Sequence, residues 1–460
     1  MCPIPISNPS SDDDIRVHTD SDSQSSLRVF AISDIHTDCA QNMQLMTSLS
    51  STEYQNDVLI VAGDISGDLS IVQATLQNFV SKFKLVFFVP GNHDLWCKKH
   101  SGGDANSSID KMYKVNKICD QLGVLRGPHL IEGTENSQAC WIVPLLSWYH
   151  GSFDTEPDLH YLDLPPVNHI MRDFYSCVWP TGMDASGERV AQYMDLLNDR
   201  ATAQTPSGRL TGKRLWQHIR DSGVPVISYS HFLPRLELIP EKRFLFFPHL
   251  AKAAGSRFLG ERVARLSPDV HIFGHTHFGW DMVLDGVRYI QAAVGYPRER
   301  NNVNSPLGIG ASTKEPAPKE PLLIFDSTGD GRFQSELSAK WSDYYKTHPR
   351  EPSNLRLASW VRPHYQKEAD EWERAQASDL DPAAGVSVCG SDAKMQLSQP
   401  PLTEVTRTMP QSTSSLLPSI AIPDTPCPGD ARRFQGSSGK LDLDKIQTYL
   451  KQIQCKQIQC

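Results

Sequence analysis

The alternation that begins at Leu27 constrains this chain most. LRVFAIS, VLIVAG and KLVFFVPG are apolar runs of strand length bounded by turn residues. Between them, Cys39, Met43, Met46 and Leu49 recur at helical spacing, as do Val72, Leu76, Phe79, Val80 and Phe83. Strand, helix, strand, helix, strand implies right-handed βαβ units and a mostly parallel sheet. A third helical pattern (Met112, Val115, Cys119, Leu122, closed by Gly123) leads to CWIVPLLSW, and PVISYSH and DVHIFGH follow later. MVL and VRYIQAAV flank Asp285-Gly286, a dipeptide suited to a two-residue hairpin, so the sheet turns antiparallel late. LLIFD, residues 322–326, reads as the last core strand.

The alternation divides the chain. Residues 1–26 are acidic and Ser-rich and read as a disordered tail, residues 27–350 as one catalytic-sized domain, and residues 351–460 as a mostly disordered tail. Within the domain, residues 149–223 separate two strands by more than an ordinary loop, and Val190, Tyr193, Met194 and Leu197 predict a helical insertion or cap. The terminal repeat KQIQC KQIQC ends on Cys460 and has no prenylation box. The net charge of −8 comes without a long Lys or Arg run, so no stable nucleic-acid partner is expected. No run approaches the roughly 20 apolar residues of a membrane span. Ten scattered cysteines without a C-x-x-C pair read as reduced thiols, and the expected location is the cytoplasm.

Chemistry-bearing residues gather just past the carboxyl ends of the expected strands: Asp34 and His36, Gly63-Asp64, Gly91-Asn92-His93-Asp94, His231, and Gly274-His275-Thr276-His277. In an α/β sheet those ends form one crevice. Carboxylate, imidazole and one amide, without thiolate, point to Mn, Fe or Zn. Seven candidate side chains exceed what one ion needs and suit two ions sharing a carboxylate. Such a pair catalyses hydrolysis at phosphorus. Gly63, Gly91 and Gly274 are read as allowing the sharp turn from strand to ligand loop.

These five ordered blocks resemble the calcineurin-like metallophosphoesterase superfamily over roughly residues 27–326. The resemblance implies a four-layer αββα sandwich of two mixed sheets. It implies one metal held by Asp34, His36, Asp64 and His277, and another held by Asp64, Asn92, His231 and His275. It also implies a metal-bound hydroxide as nucleophile, with His93 protonating the leaving oxygen or stabilising the transition state and Asp94 orienting its ring. Protein Ser/Thr phosphatases of the family read Gly-Asp-x-x-Asp-Arg-Gly and Gly-Asn-His-Glu, whereas here Leu69 follows Asp68 and the block ends in Asp94. That departure tells against a phosphoprotein and leaves phosphodiester, nucleotide-like and small phosphomonoester substrates open; the expectation leans to a phosphodiester or small nucleotide-like substrate, with a phosphomonoesterase, protein phosphatase included, as the alternative.

The reading from another class is a non-catalytic metal-binding scaffold for protein partners. No expected ligand is missing, which favours the enzyme. Asn92, Tyr149, His150 and Arg298 are candidates for substrate contact, and Asp38, Arg235 and Arg300 lie near the same loops. Trp148-Tyr149-His150 follows a strand end, where an aromatic ring and an imidazole would cover a leaving group.

Overall fold

The computed structural model describes residues 28–97, 105–132, 138–205, 208–300, 320–327 and 333–379. The acidic N-terminal segment and the terminal repeat lie outside the described residues. Strands β1 (Arg28–Ile32), β2 (Val58–Val61) and β3 (Leu85–Phe88) alternate with α1 (Ala40–Ser48) and α2 (Leu69–Val80), and α3 (Ser108–Leu122) follows. Next come β4 (His129–Ile131) and β5 (Cys140–Pro144). The insertion carries α4 (Val167–Ile170), α5 (Asp173–Ser176), α6 (Glu188–Asn198), β6 (Thr202–Thr205), β7 (Gly208–Thr211) and α7 (Gly212–Asp221). The chain returns through β8 (Val226–Tyr229), α8 (Arg257–Leu266), β9 (Val270–Phe273), β10 (Trp280–Leu284), β11 (Val287–Gln291) and α9 (Pro297–Arg300). It closes with β12 (Leu322–Asp326), α10 (Lys340–Thr347) and α11 (Gln366–Asp379).

Two mixed sheets result, in the orders β12-β1-β2-β3 and β10-β11-β9-β8-β5-β4. β1, β2 and β3 pair in parallel, as do β5, β8, β9 and β11, while β12, β10 and β4 run antiparallel to their neighbours. Asp285 and Gly286 both take positive φ, 49° and 83°, as the hairpin between β10 and β11 requires.

Strands covered on both faces read as continuous apolar runs instead of alternating ones, and the packing explains VLIV and LVFF. Ala31, Ile60 and Phe87 meet Ile142, Ile227 and Ile272 between the sheets. On the outer face of the smaller sheet, Ile32, Leu59 and Val86 pack on Met46, Leu76 and Val115 from the helices. On the outer face of the larger sheet, Trp141, Val143 and Phe273 pack on Leu215 and Val263. The order helix, sheet, sheet, helix is the four-layer sandwich.

Two expectations need correction. The insertion is not wholly helical, because β6 and β7 pair antiparallel from Thr202 opposite Thr211 to Thr205 opposite Gly208. A Thr-rich text lacks the apolar alternation that would have marked these strands. The boundary at residue 350 also falls short of the folded body. Val361 and Tyr365 are buried in the core, Tyr365 Oη donates to the Phe246 carbonyl at 2.7 Å, and Trp372 stacks on Tyr161 at 4.6 Å. Among the described residues no helix is long and apolar enough to cross a membrane.

His271 in β9 is buried, with Nδ1 2.8 Å from Ser228 Oγ and Nε2 3.0 Å from Ser230 Oγ. Burial pushes it down to about 3. The folded state therefore holds His271 neutral while the unfolded chain protonates below about pH 6.5, so this contribution to stability is full above that value and declines as pH falls toward 3. We expect His271→Asn to flatten the acid limb of the stability curve by about 1.4 kcal/mol per pH unit between pH 6 and 4. Urea titrations across that range measure it, and parallel wild-type and variant curves would rule the assignment out.

Candidate metal centre

The sites of chemistry lie where the two sheets meet. Asp34, Asp64 and Asn92 follow β1, β2 and β3, and His231, His275 and His277 follow β8 and β9. The Ser33–Ala293 bridge joins the loop after β1 to the chain beyond β11, and Gly295 N donates to the Asp34 carbonyl at 2.9 Å. Asp34 N continues the ladder to the Gly63 carbonyl and His36 N to the Asp64 carbonyl, both at 3.0 Å. Asp34, His36, Asp64, His275 and His277 all have positive φ, between 40° and 78°. Such backbone costs of order 1–3 kcal/mol per residue and persists only where its surroundings over-determine it.

Of the three loop glycines, Gly63 has φ +85°. Gly91 is required for another reason, close approach: a Cβ there would overlap the Asp64 carboxylate and lie 2.7 Å from His231 Cε1. At Gly274 a Cβ would come 2.8 Å from Asp34 Oδ2, so packing against a ligand, not turn geometry, excludes a side chain.

Hydrogen bonds behind the imidazoles set their tautomers. His231 Nδ1 faces the Ala62 carbonyl at 2.9 Å and His275 Nε2 faces the Ala253 carbonyl at 2.7 Å, and a carbonyl only accepts. The remaining lone pairs, His231 Nε2 and His275 Nδ1, each lie 3.0 Å from Asn92 Oδ1. That oxygen is itself oriented, because Asn92 Nδ2 donates to Asp173 Oδ1 at 2.9 Å. Three acceptors thus converge with no donor among them, the arrangement a cation fits.

A second acceptor cluster lies beside the first. His277 Nδ1 donates to Glu299 Oε2 at 2.9 Å, and its Nε2 lies 3.0 Å from His36 Nε2 and 3.5 Å from Asp34 Oδ1. Burial opposes charge on His277, yet Glu299 and Asp34 outweigh it and hold the ring well above the usual imidazole range. Positive charge is favoured at this point. Asp64 joins both clusters: it groups with His36 and His93, and with Asp34 and His231, its Oδ1 3.5 Å from His231 Nε2. Burial, then Asp94 and Asp34, push Asp64 well above the carboxylate range, and a shared cation would offset that penalty. The donor set therefore fits metal binding: Asp34, His36, Asp64, His231 and His277 all fall in groups of ligand atoms close enough together to hold an ion.

Asp94 does not orient His93. Its carboxylate accepts four backbone N–H groups, from Gly91 at 2.8 Å, Asp64 and Ile65 at 2.9 Å and Ser66 at 3.0 Å. It binds the loop after β2 to the loop after β3. His93 is instead set by its own backbone N–H, donated to Asp64 Oδ1 at 2.9 Å, and by stacking on Trp96 at 3.7 Å. Its Nε2 is 3.8 Å from Asp64 Oδ2, at the edge of the cleft.

Nor do Tyr149 and His150 face a substrate, since both are fully buried. Tyr149 Oη donates to Asp173 Oδ2 at 3.1 Å. The two nitrogens of His150 are engaged by Ser152 Oγ at 2.9 Å and by the N–H of Arg257 at 3.1 Å, which fastens the insertion to α8. Arg235 pairs with Glu237 and Asp285, and Arg300 donates to Asn42 Oδ1 and to the Gly295 carbonyl. Arg298 alone of these arginines stands exposed at the cleft, over the Tyr296 ring. Asp38 is exposed near Arg172, and Asp68 caps α2 by accepting from Ser70 N at 2.9 Å, outside the cleft.

Asp173, Glu299, Trp96 and Tyr296 are the residues that motif reading missed. Trp96 lies three positions beyond His93, which a search for aromatics flanking the Gly-Asn-His-Asp block would have met. Glu299 lies beside Arg298, but Asp173 has no local signal. Asp173→Asn would present an amide N–H₂ toward the donors of Asn92, Trp96 and Tyr149. We expect it to weaken Mn²⁺ binding about 10–100-fold with the fold retained. Metal titration by calorimetry measures this, and unchanged affinity would remove Asp173 from the site.

Comparison with known proteins agrees with the geometry. The family model described as calcineurin-like phosphoesterase matches residues 27–279. The chain is 26% identical over 288 residues to "[Acyl-carrier-protein] phosphodiesterase PptH" of Mycobacterium tuberculosis, covering 59% of this chain and 78% of that protein. The crystal structure of phosphopantetheinyl hydrolase PptH from that organism is similar at 23% identity and a TM-score of 0.45, covering 59% of this chain and 91% of that one.

Proposed function

This chain belongs to the calcineurin-like phosphoesterase family, and on that premise we propose that it is a phosphodiesterase acting on the bond between a phosphopantetheinyl group and a carrier protein. It is a metal-dependent phosphoester hydrolase. The single observation behind the diester reading is its likeness to an acyl-carrier-protein phosphodiesterase over 78% of that protein. The position of Asp68 supports it, since that residue caps a helix and no arginine follows it to clamp a phosphoprotein.

Asp34, His36, Asp64 and His277 would hold one ion and Asp64, Asn92, His231 and His275 the other, drawn from Mn, Fe or Zn. When bound, two such ions polarise a phosphoryl group and acidify a water molecule. The chain's own contribution is to fix the donors. Asp173 turns the Asn92 carbonyl inward, Glu299 turns His277, and the Ala62 and Ala253 carbonyls turn His231 and His275. His93 stands at the cleft edge where its ring N–H meets the leaving oxygen.

The test compares a phosphopantetheinylated carrier protein, bis(p-nitrophenyl) phosphate, p-nitrophenyl phosphate and a phosphopeptide, with Mn²⁺, Zn²⁺ and Fe²⁺ supplied separately. Intact-mass loss of the phosphopantetheinyl group and at least about tenfold preference for diesters are expected. Preference for the monoester or the phosphopeptide would overturn the reading.

A further inference from the structure

His231, His275 and His277 each have an oxygen acceptor behind the ring. His93 differs. Among the described residues no hydrogen bond reaches its ring nitrogens, and Nε2 lies 3.8 Å from Asp64 Oδ2, beyond hydrogen-bond length. Its backbone N–H is held by Asp64 Oδ1, which does not fix a ring that turns about two side-chain bonds. His36 meets the ring only edge-on, at 4.7 Å. The face of the imidazole belongs to Trp96, whose indole stacks on it at 3.7 Å with 28° between the planes.

The indole is itself fixed at several points. Trp96 Nε1 donates to Asp173 Oδ1 at 2.6 Å, the same oxygen that accepts from Asn92 Nδ2 at 2.9 Å. Arg172 Cζ lies 4.9 Å from the indole, a cation–π contact. Trp96 N donates to the His93 carbonyl at 3.1 Å, closing the turn that brings the two rings together. Two of these anchors, Arg172 and Asp173, come from the insertion. A stack sets the plane of a ring and leaves its nitrogens unspent, whereas a carboxylate partner takes one of them. Held this way, His93 keeps both nitrogens for the substrate.

We propose that Trp96 is the positioning residue of His93: the stack, in place of a carboxylate, aims the imidazole at the leaving oxygen and gives the site its capacity for esters of poor leaving groups. This assignment rests on the leaving-oxygen role of His93 and not on the choice between diester and monoester. A stable anion such as p-nitrophenolate departs with little help, whereas a more basic oxygen needs the hydrogen bond from the imidazole as charge develops on it. The requirement for Trp96 therefore grows with the basicity of the leaving alcohol. The substrate class that depends on it most is an ester of an alkyl alcohol.

With the Mn²⁺-loaded full chain, turnover of methyl p-nitrophenyl phosphate is compared with that of methyl phenyl phosphate, which share the retained half and differ in the leaving one. The ratio is expected to rise about tenfold or more, in favour of the p-nitrophenyl ester, in both Trp96→Ala and His93→Gln. Trp96→Phe keeps a ring for the stack and should stay within about threefold of the wild-type ratio. A residue needed only for folding or metal would lower both esters together, and the metal content and melting temperature of each variant record such a loss. If the diesters are not cleaved, the ratio of p-nitrophenyl phosphate to phenyl phosphate takes their place. A second readout is independent of turnover: nuclear magnetic resonance of the Zn²⁺-loaded, histidine-labelled full chain. The His93 ring protons, identified by their loss in His93→Gln, are expected upfield under the indole and should move downfield in Trp96→Ala. A ratio raised by His93→Gln but not by Trp96→Ala, or His93 signals unmoved in Trp96→Ala, would overturn the positioning role alone. A ratio unmoved in His93→Gln would overturn the leaving-oxygen role of His93 and that of Trp96 with it.

Discussion

Asp64→Asn is expected to reduce phosphoester hydrolysis by about 10³-fold or more and to lower bound metal from about two equivalents to one or fewer. The carboxylate is buried and shared by both acceptor clusters. Its Oδ1 also accepts the backbone N–H of His93 at 2.9 Å, so it places that ring as well. An amide at this position offers one acceptor in place of two and turns a donor toward one ion. Neutralising the bridge also removes the negative charge that makes two cations tolerable a few ångströms apart. Metal analysis of the purified variant, paired with turnover of a diester under excess Mn²⁺, measures both effects. Two equivalents of metal with activity within tenfold of wild type would refute the bridging role.

Asp94→Ala is expected to destabilise the folded state by about 4 kcal/mol, chiefly through backbone groups. Four buried N–H donors lose their acceptor at once, and each orphaned donor costs about 1–3 kcal/mol before water refills the space. Burial pushes Asp94 up to about 6 even with those donors present, so the native carboxylate is itself held against desolvation. The loops it joins carry Asp64 and Asn92, and activity should fall with stability. Asp94→Asn would retain one acceptor oxygen but oppose the other donors with an amide N–H₂, giving an intermediate loss. Urea denaturation with and without Mn²⁺ reads the effect. A loss under about 1 kcal/mol would mean that water replaces the carboxylate.

The candidate ligands were legible because strand ends are local in sequence. A short apolar run followed by Asp-x-His or Gly-Asp states both a strand and what it presents. The supporting shell was not legible, because its partners are distant or have no side-chain identity. Asp173 lies 81 residues from Asn92 in a segment with no motif. Asp94 looked like a partner for the neighbouring imidazole, but its partners are peptide N–H groups, which every residue but proline possesses. His150 looked available beside a strand end, although the group that fixes it is the N–H of Arg257, 107 residues onward. The end of the folded body was misjudged for a related reason. Val361, Tyr365 and Ala369 are buried one helical turn apart within an otherwise polar stretch, and three buried side chains weigh little against that composition.

Asp173 has a consequence for how such a protein diversifies. The insertion looks like an accessory that evolution or an engineer exchanges to change what enters the cleft. Yet its carboxylate is the acceptor that turns the Asn92 amide, and it binds Trp96 and Tyr149 at the same time. A transplanted cap must therefore supply an equivalent acceptor at that point, or the host loses metal along with its old specificity. Grafts that keep Arg172-Asp173 and vary the cap beyond α5 are the ones that should survive.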